Sequence, residues 1–151
     1  MKKYFLLLFL SVFFQDIYSQ DTNSHLNLNS NNIAVDGYDL VSYFEENKAV
    51  EGKKNYKFTF ENVNYYFSSE KHLNSFKKSP TKYLPSFGGW CAYAMGATGE
   101  KVKIDPESFI VNDGNLYLFY YSFFNDTKSK WNNDPKNLEQ KAKINWKKIT
   151  N

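Results

Sequence analysis

The stretch that most limits how this chain can fold is Phe109-Ile110-Val111-Asn112-Asp113-Gly114-Asn115-Leu116-Tyr117-Leu118-Phe119-Tyr120. Two apolar runs flank Asp-Gly, a pair that tolerates positive φ at both centres of a type I′ turn, so an antiparallel hairpin is predicted. A second hairpin is predicted upstream over Tyr56 to Phe67. There Tyr56, Phe58 and Phe60 alternate with polar residues, as do Val63, Tyr65 and Phe67 after the break at Glu61-Asn62. Alternation at period two gives each strand one face to bury.

Helical signals lie between and after these hairpins. Ser68-Ser69 offers an N-cap, Glu70 stands in the first turn, and Leu73 and Phe76 form an apolar stripe that ends before Pro80. A short helix is predicted over Ser69 to Lys78, with His72 and Phe76 one turn apart on a shared face. Near the end, Asp134-Pro135 supplies a cap and a first-turn proline. Leu138, Ala142, Asn145, Trp146 and Ile149 then mark one face of a helix over Pro135 to Ile149. Its opposite face carries Lys136, Lys141, Lys143, Lys147 and Lys148 and reads as solvated. Val41 to Phe44, after the turn-like Asp36-Gly37-Tyr38-Asp39, reads as a short strand or helix edge. Pro80 to Pro85 reads as a turn, and Gly88-Gly89 as a break. The fold class is α+β: two antiparallel β-hairpins with short helices and a C-terminal amphipathic helix.

The chain opens as an export signal does. Met1-Lys2-Lys3 is basic, Tyr4 to Phe14 is almost unbroken apolar sequence, and Ser19 provides a small residue before Gln20. The apolar run is too short to span a bilayer stably. The expectation is a signal peptide over residues 1–19, a flexible Asn/Ser-rich tether over 20–32 and one domain over 33–151. The alternative is an uncleaved N-terminal anchor. The mature protein is expected to be periplasmic or secreted, with no stable membrane span after cleavage, and His25 in the tether is assigned no role.

Composition narrows the partners. All 19 basic residues are Lys, and the formal charge is only +3. Without arginine the chain lacks the bidentate fork normally used on phosphate and carboxylate, which argues against nucleic acid as a partner. Aromatics make up 19% of the residues, enough to build a core in a single small domain.

Tyr65-Tyr66-Phe67-Ser68-Ser69-Glu70-Lys71-His72, followed by Phe76-Lys77-Lys78-Ser79-Pro80-Thr81-Lys82-Tyr83, resembles the YHS domain. Gly37 to Phe44 resembles the opening of exported stand-alone YHS domain-containing proteins. Gly88-Gly89-Trp90-Cys91-Ala92-Tyr93, Asp105-Pro106-Glu107, Asp113 to Leu118 and Asn145-Trp146 resemble their tail. The likeness runs from Ile33 to about Ile149. Most stand-alone members lack a defined biochemical role. Related metal-binding modules place cysteines where this chain has Ser42, Ser68 and His72, so the resemblance implies that a tetrahedral zinc site cannot be assembled from these positions.

Cys91 is the only cysteine. An exported thiol without a partner in its own chain is buried, holds a ligand, or bonds to a second chain. If Cys91 to Gly96 is helical, the sulfurs of Cys91 and Met95 lie one turn apart. With the imidazole of His72 they would make a soft, low-coordination set suited to copper as Cu(I). The competing reading makes Cys91 and Met95 core fillers beside Trp90 and Tyr93, and His72 a hydrogen-bonded core residue. A Cys-His nucleophile would need a base and an orienting third group, and no catalytic signature surrounds Cys91, so an enzyme is not the expectation. The sequence therefore points to a non-catalytic, exported binding module. Its ligand is either a soft metal ion held by Cys91 with His72 or Met95, or, without metal, a protein or small ligand met by an aromatic surface. Asp36 and Asp39 are too few oxygen ligands to define a hard-cation site.

Overall fold

The structure is a computed structural model and describes residues 23–151. The expected signal peptide and the first residues of the expected tether lie outside the described residues. From Asn23 to Asn32, the later part of the expected tether, the chain lies docked against the domain. Asn27 is buried, its backbone N–H donates to the Gly88 carbonyl, and its side-chain amide donates to the Gly89 carbonyl. The Trp90 indole donates to the His25 carbonyl at 2.7 Å, and Leu26 and Leu28 pack on the core. The asparagines that made the segment look like a linker act as side-chain hydrogen-bonding groups that dock it.

Both predicted hairpins are present. Strand β1 (Lys53–Phe60) pairs antiparallel with β2 (Val63–Phe67), and β3 (Asp105–Asn112) with β4 (Asn115–Phe119). The Asp113-Gly114 turn has positive φ at both residues, 48° and 74°, as its chemistry requires. Each hairpin has an irregularity at the open end of its first strand, between Lys53 and Lys57 and between Asp105 and Phe109. A third hairpin of β5 (Tyr121–Ser122) and β6 (Asn125–Asp126) follows at once and carries Phe123 and Phe124 on its exposed tip.

Among the described residues six α-helices surround these strands. Helix α1 (Leu40–Glu45) resolves the open reading of Val41 to Phe44 in favour of helix. Helix α2 (Glu70–Lys78) starts where predicted, with the Ser69 hydroxyl accepting from the His72 N–H. Pro80 begins a four-residue helix, α3 (Pro80–Tyr83), where a turn was expected. Then come α4 (Ala92–Ala97), α5 (Thr127–Asn132) and α6 (Pro135–Thr150). No helix among the described residues is long and apolar enough to cross a membrane.

Strand β4 joins two core regions. Its Leu116 and Leu118 point into a cluster with Tyr43, Phe67, Phe76 and Tyr83 under the first hairpin. Its Tyr117 and Phe119 point the other way, into a cluster with Ala92, Met95, Trp131 and Ala142. The strand is thus buried on both faces, which its continuous apolar run permits. Phe76 is the hub of the first region, with Tyr65 and Phe67 at ring-centroid distances of 4.9 and 5.0 Å. In the second region α4 and α6 pack so closely that a Cβ on Gly96 would lie 2.5 Å from the Leu138 carbonyl oxygen. Glycine is required there for backbone approach.

Candidate functional site

Cys91 stands at the N-cap of α4 and is fully buried. Its Sγ accepts the Tyr120 N–H at 3.3 Å and lies 3.4 Å from Thr127 Oγ1. The Thr127 hydroxyl already donates to the Tyr120 carbonyl at 2.6 Å, which leaves the Cys91 S–H as the donor in the Cys91–Thr127 contact. The thiol therefore fastens the base of the third hairpin to the start of α4. Met95, one turn on, is also fully buried, and its carbonyl accepts from the Asn145 amide of α6 at 2.9 Å.

His72 lies in a different neighbourhood. Asp39, the N-cap of α1, is fully buried, and its carboxylate collects donors from three parts of the chain. Oδ1 accepts the Val41 N–H at 2.9 Å. Oδ2 accepts the Ser68 N–H at 2.8 Å, the Ser68 hydroxyl at 2.6 Å and His72 Nδ1 at 2.7 Å. His72 Nε2 faces Glu46 Oε1 at 3.4 Å. Ser42 bridges the carbonyls of Asp39 and Lys48. Ser42, Ser68 and His72 are thus gathered around one carboxylate. Asp39, set aside as a cation ligand in the sequence, is the centre of the cluster. The arrangement is not a catalytic triad. Serine and aspartate both meet Nδ1, whereas a relay needs them on opposite ring nitrogens, and His72 is buried.

Cys91 and Met95 lie one turn apart at the start of α4, and no hydrogen bond among the described residues joins either of them to His72. The polar contacts of Cys91 are with Tyr120 and Thr127, and those of His72 are with Asp39, Ser68 and Glu46. Among the described residues no group of three or more His, Cys, Asp or Glu side chains could hold a metal ion.

Elsewhere, a cavity of about 510 Å³ lies between the docked N-terminal segment, the buried face of β2 and the end of α6. Leu26, Val35, Val63, Leu84 and Trp146 supply apolar wall, and the aromatic edge of Trp146 meets His25 at 5.6 Å between ring centroids. Gly88, with φ of 61°, admits Trp146, since a Cβ at that position would come within 2.6 Å of the indole. Tyr65 lines the cavity, and among the described residues Glu61 is its only carboxylate and no lysine lines it. Lys103 comes near but is engaged by Asn27 Oδ1 at 2.8 Å.

This chain matches no protein-family model, no curated protein and no solved structure.

The cavity was not visible as a site in the sequence because its walls come from five separated segments. Two hints were present. The isolated leucines of the Asn/Ser-rich stretch needed somewhere to pack, and Trp146 was predicted to face inward from the C-terminal helix.

Proposed function

We propose that this chain is an exported, YHS-like, non-catalytic binding module that takes a small, mostly apolar ligand in the cavity between its N-terminal segment and α6. The observation that carries this reading is the cavity itself: about 510 Å³, walled mainly by aliphatic and aromatic side chains, with a few polar groups. That volume and lining are those of small-molecule sites in general. Export rests on the N-terminal pattern of basic start, apolar run and small residue before Gln20. The test is a titration with the neutral apolar dye Nile red. Saturable fluorescence enhancement at one site is expected, abolished in a folded Leu84→Trp variant that fills the cavity from the α3 side. Enhancement that is unsaturable, or equal in the variant, would refute the reading.

A second reading, recognition of a protein through an aromatic surface, is favoured by Phe123 and Phe124, which are 89% and 94% exposed. A soft-metal site draws only on the one-turn spacing of Cys91 and Met95, and there Cu(I) would have to displace both hydrogen-bonding contacts of the thiol. A Cu(I) competition titration on wild type and Cys91→Ser separates it from the cavity reading.

A further inference from the structure

Tyr65 stands apart from the other buried polar side chains of the cavity. It is only 6% exposed, and its hydroxyl has no hydrogen-bond partner among the described residues. Tyr43, Tyr83 and Tyr117, buried to a similar degree, each donate to an oxygen: the Pro106 carbonyl, Glu45 and Glu139 respectively. A buried hydroxyl normally finds a partner, and one without a partner costs free energy. Nor is the Tyr65 hydroxyl sealed in the core, since the one fully enclosed side-chain polar atom without a partner among the described residues is Ser108 Oγ. The open space that Tyr65 lines is the cavity.

Resting on the cavity reading, we propose that the ligand is an uncharged aromatic or alicyclic molecule bearing a carbonyl-type oxygen, which accepts a hydrogen bond from the Tyr65 hydroxyl. Three observations set its chemistry. The apolar wall requires a mostly apolar body. Among the described residues no lysine lines the cavity, and the chain has no arginine, so His25 is the one lining side chain able to carry positive charge against a carboxylate or phosphate. Glu61, the carboxylate at the cavity, adds repulsion against an anion. Tyr65 is also suited to remain a donor. Burial, with a smaller contribution from the Glu61 charge, pushes its ionisation up to about 12, so the phenol keeps its proton at any physiological pH. Asn27, the other buried polar side chain at the cavity, is already used by Gly89 and Lys103.

The test titrates three probes of one shape against the intrinsic tryptophan fluorescence of the protein, in which Trp146 lines the site: naphthalene, 2-acetonaphthone and 2-naphthoate. Wild type and Tyr65→Phe are compared. The phenylalanine variant removes a hydroxyl that has no internal partner, so it is expected to melt at or above the wild-type temperature. A Tyr65→Phe variant that unfolds at lower temperature would show that the hydroxyl has a partner within the fold and would overturn the proposal. Tyr65→Phe should weaken 2-acetonaphthone by about 2- to 12-fold, the value of one ordinary hydrogen bond, and leave naphthalene unchanged. In wild type 2-naphthoate should bind weakest of the three. Unchanged ketone affinity in Tyr65→Phe, with naphthalene still bound, would overturn the role of Tyr65 and leave the cavity reading standing. Naphthoate binding as tightly as the ketone would overturn the uncharged class. No binding of any probe to wild type would bring down the cavity reading and this inference together.

Discussion

Replacing Asp39 with alanine strikes the most heavily bonded side chain of the fold. Five donors lose their acceptor: the Val41 N–H, the Ser42 N–H, the Ser68 N–H, the Ser68 hydroxyl and His72 Nδ1–H. Each hydrogen bond to a charged group is worth about 1.5–3 kcal/mol, but the five are not additive, because the serine hydroxyl and the imidazole can reorient once the carboxylate is gone. The Val41 contact is itself the helix cap, worth about 1 kcal/mol. A buried donor left without its acceptor costs about 1–3 kcal/mol, and with the fixed Val41 and Ser68 N–H groups both stranded about 2–5 kcal/mol is the expected loss for Asp39→Ala. Asp39→Asn is a finer probe. Its oxygen can still cap α1, but its amide nitrogen would face the fixed Ser68 N–H, leaving one buried donor unsatisfied at about 1–3 kcal/mol. The order Ala worse than Asn worse than wild type should appear in urea unfolding followed by circular dichroism at neutral pH. A double-mutant cycle with His72→Phe should show coupling of about 0.5–3 kcal/mol. An Asp39→Ala variant within about 1 kcal/mol of wild type, or an asparagine variant less stable than alanine, would show that the cluster does not hold α1 to α2.

Gly96→Ala should cost about 1–3 kcal/mol in the same assay, because the added methyl meets the backbone of Leu138 and must push α6 away from α4. Cys91 should react with a disulfide reagent only after unfolding, and Cys91→Ser should cost about 0.5–3 kcal/mol while taking up no less Cu(I) than wild type; Cu(I) uptake lost with the thiol would restore the metal reading. The Ser129 hydroxyl and N–H hold the Asp126 carboxyl below its ordinary range, so its contribution is present above the unfolded carboxylate value and is lost as pH falls through the lower folded one. The stability gap between wild type and Asp126→Ala should therefore narrow below about pH 4, and a gap that stays constant there would contradict this cap.

Local chemistry is what the sequence by itself determined. Asp113-Gly114 fixed one hairpin because few other pairs accept two positive φ values in succession, and Tyr56 to Phe67 fixed the other through its period-two alternation. Ser69 and Pro135 marked helix starts because capping and a missing N–H act within a single turn. The third hairpin escaped notice because two-residue strands carry no periodicity, and α3 because four residues starting at a proline read equally well as a turn. Long-range placement was decided only in the tertiary structure. His72 could be put on the inward face of a helix, but not on the Asp39 carboxylate 33 residues earlier in the chain. Cys91 could be singled out, but its burial follows from Tyr120 and Thr127, which close over it. Nothing local showed that Asn27 would pin the N-terminal segment across Gly88 and Gly89. That pinning closes the cavity beside Tyr65, because a side-chain amide can hold a polar segment on a core only when a distant carbonyl is folded into reach.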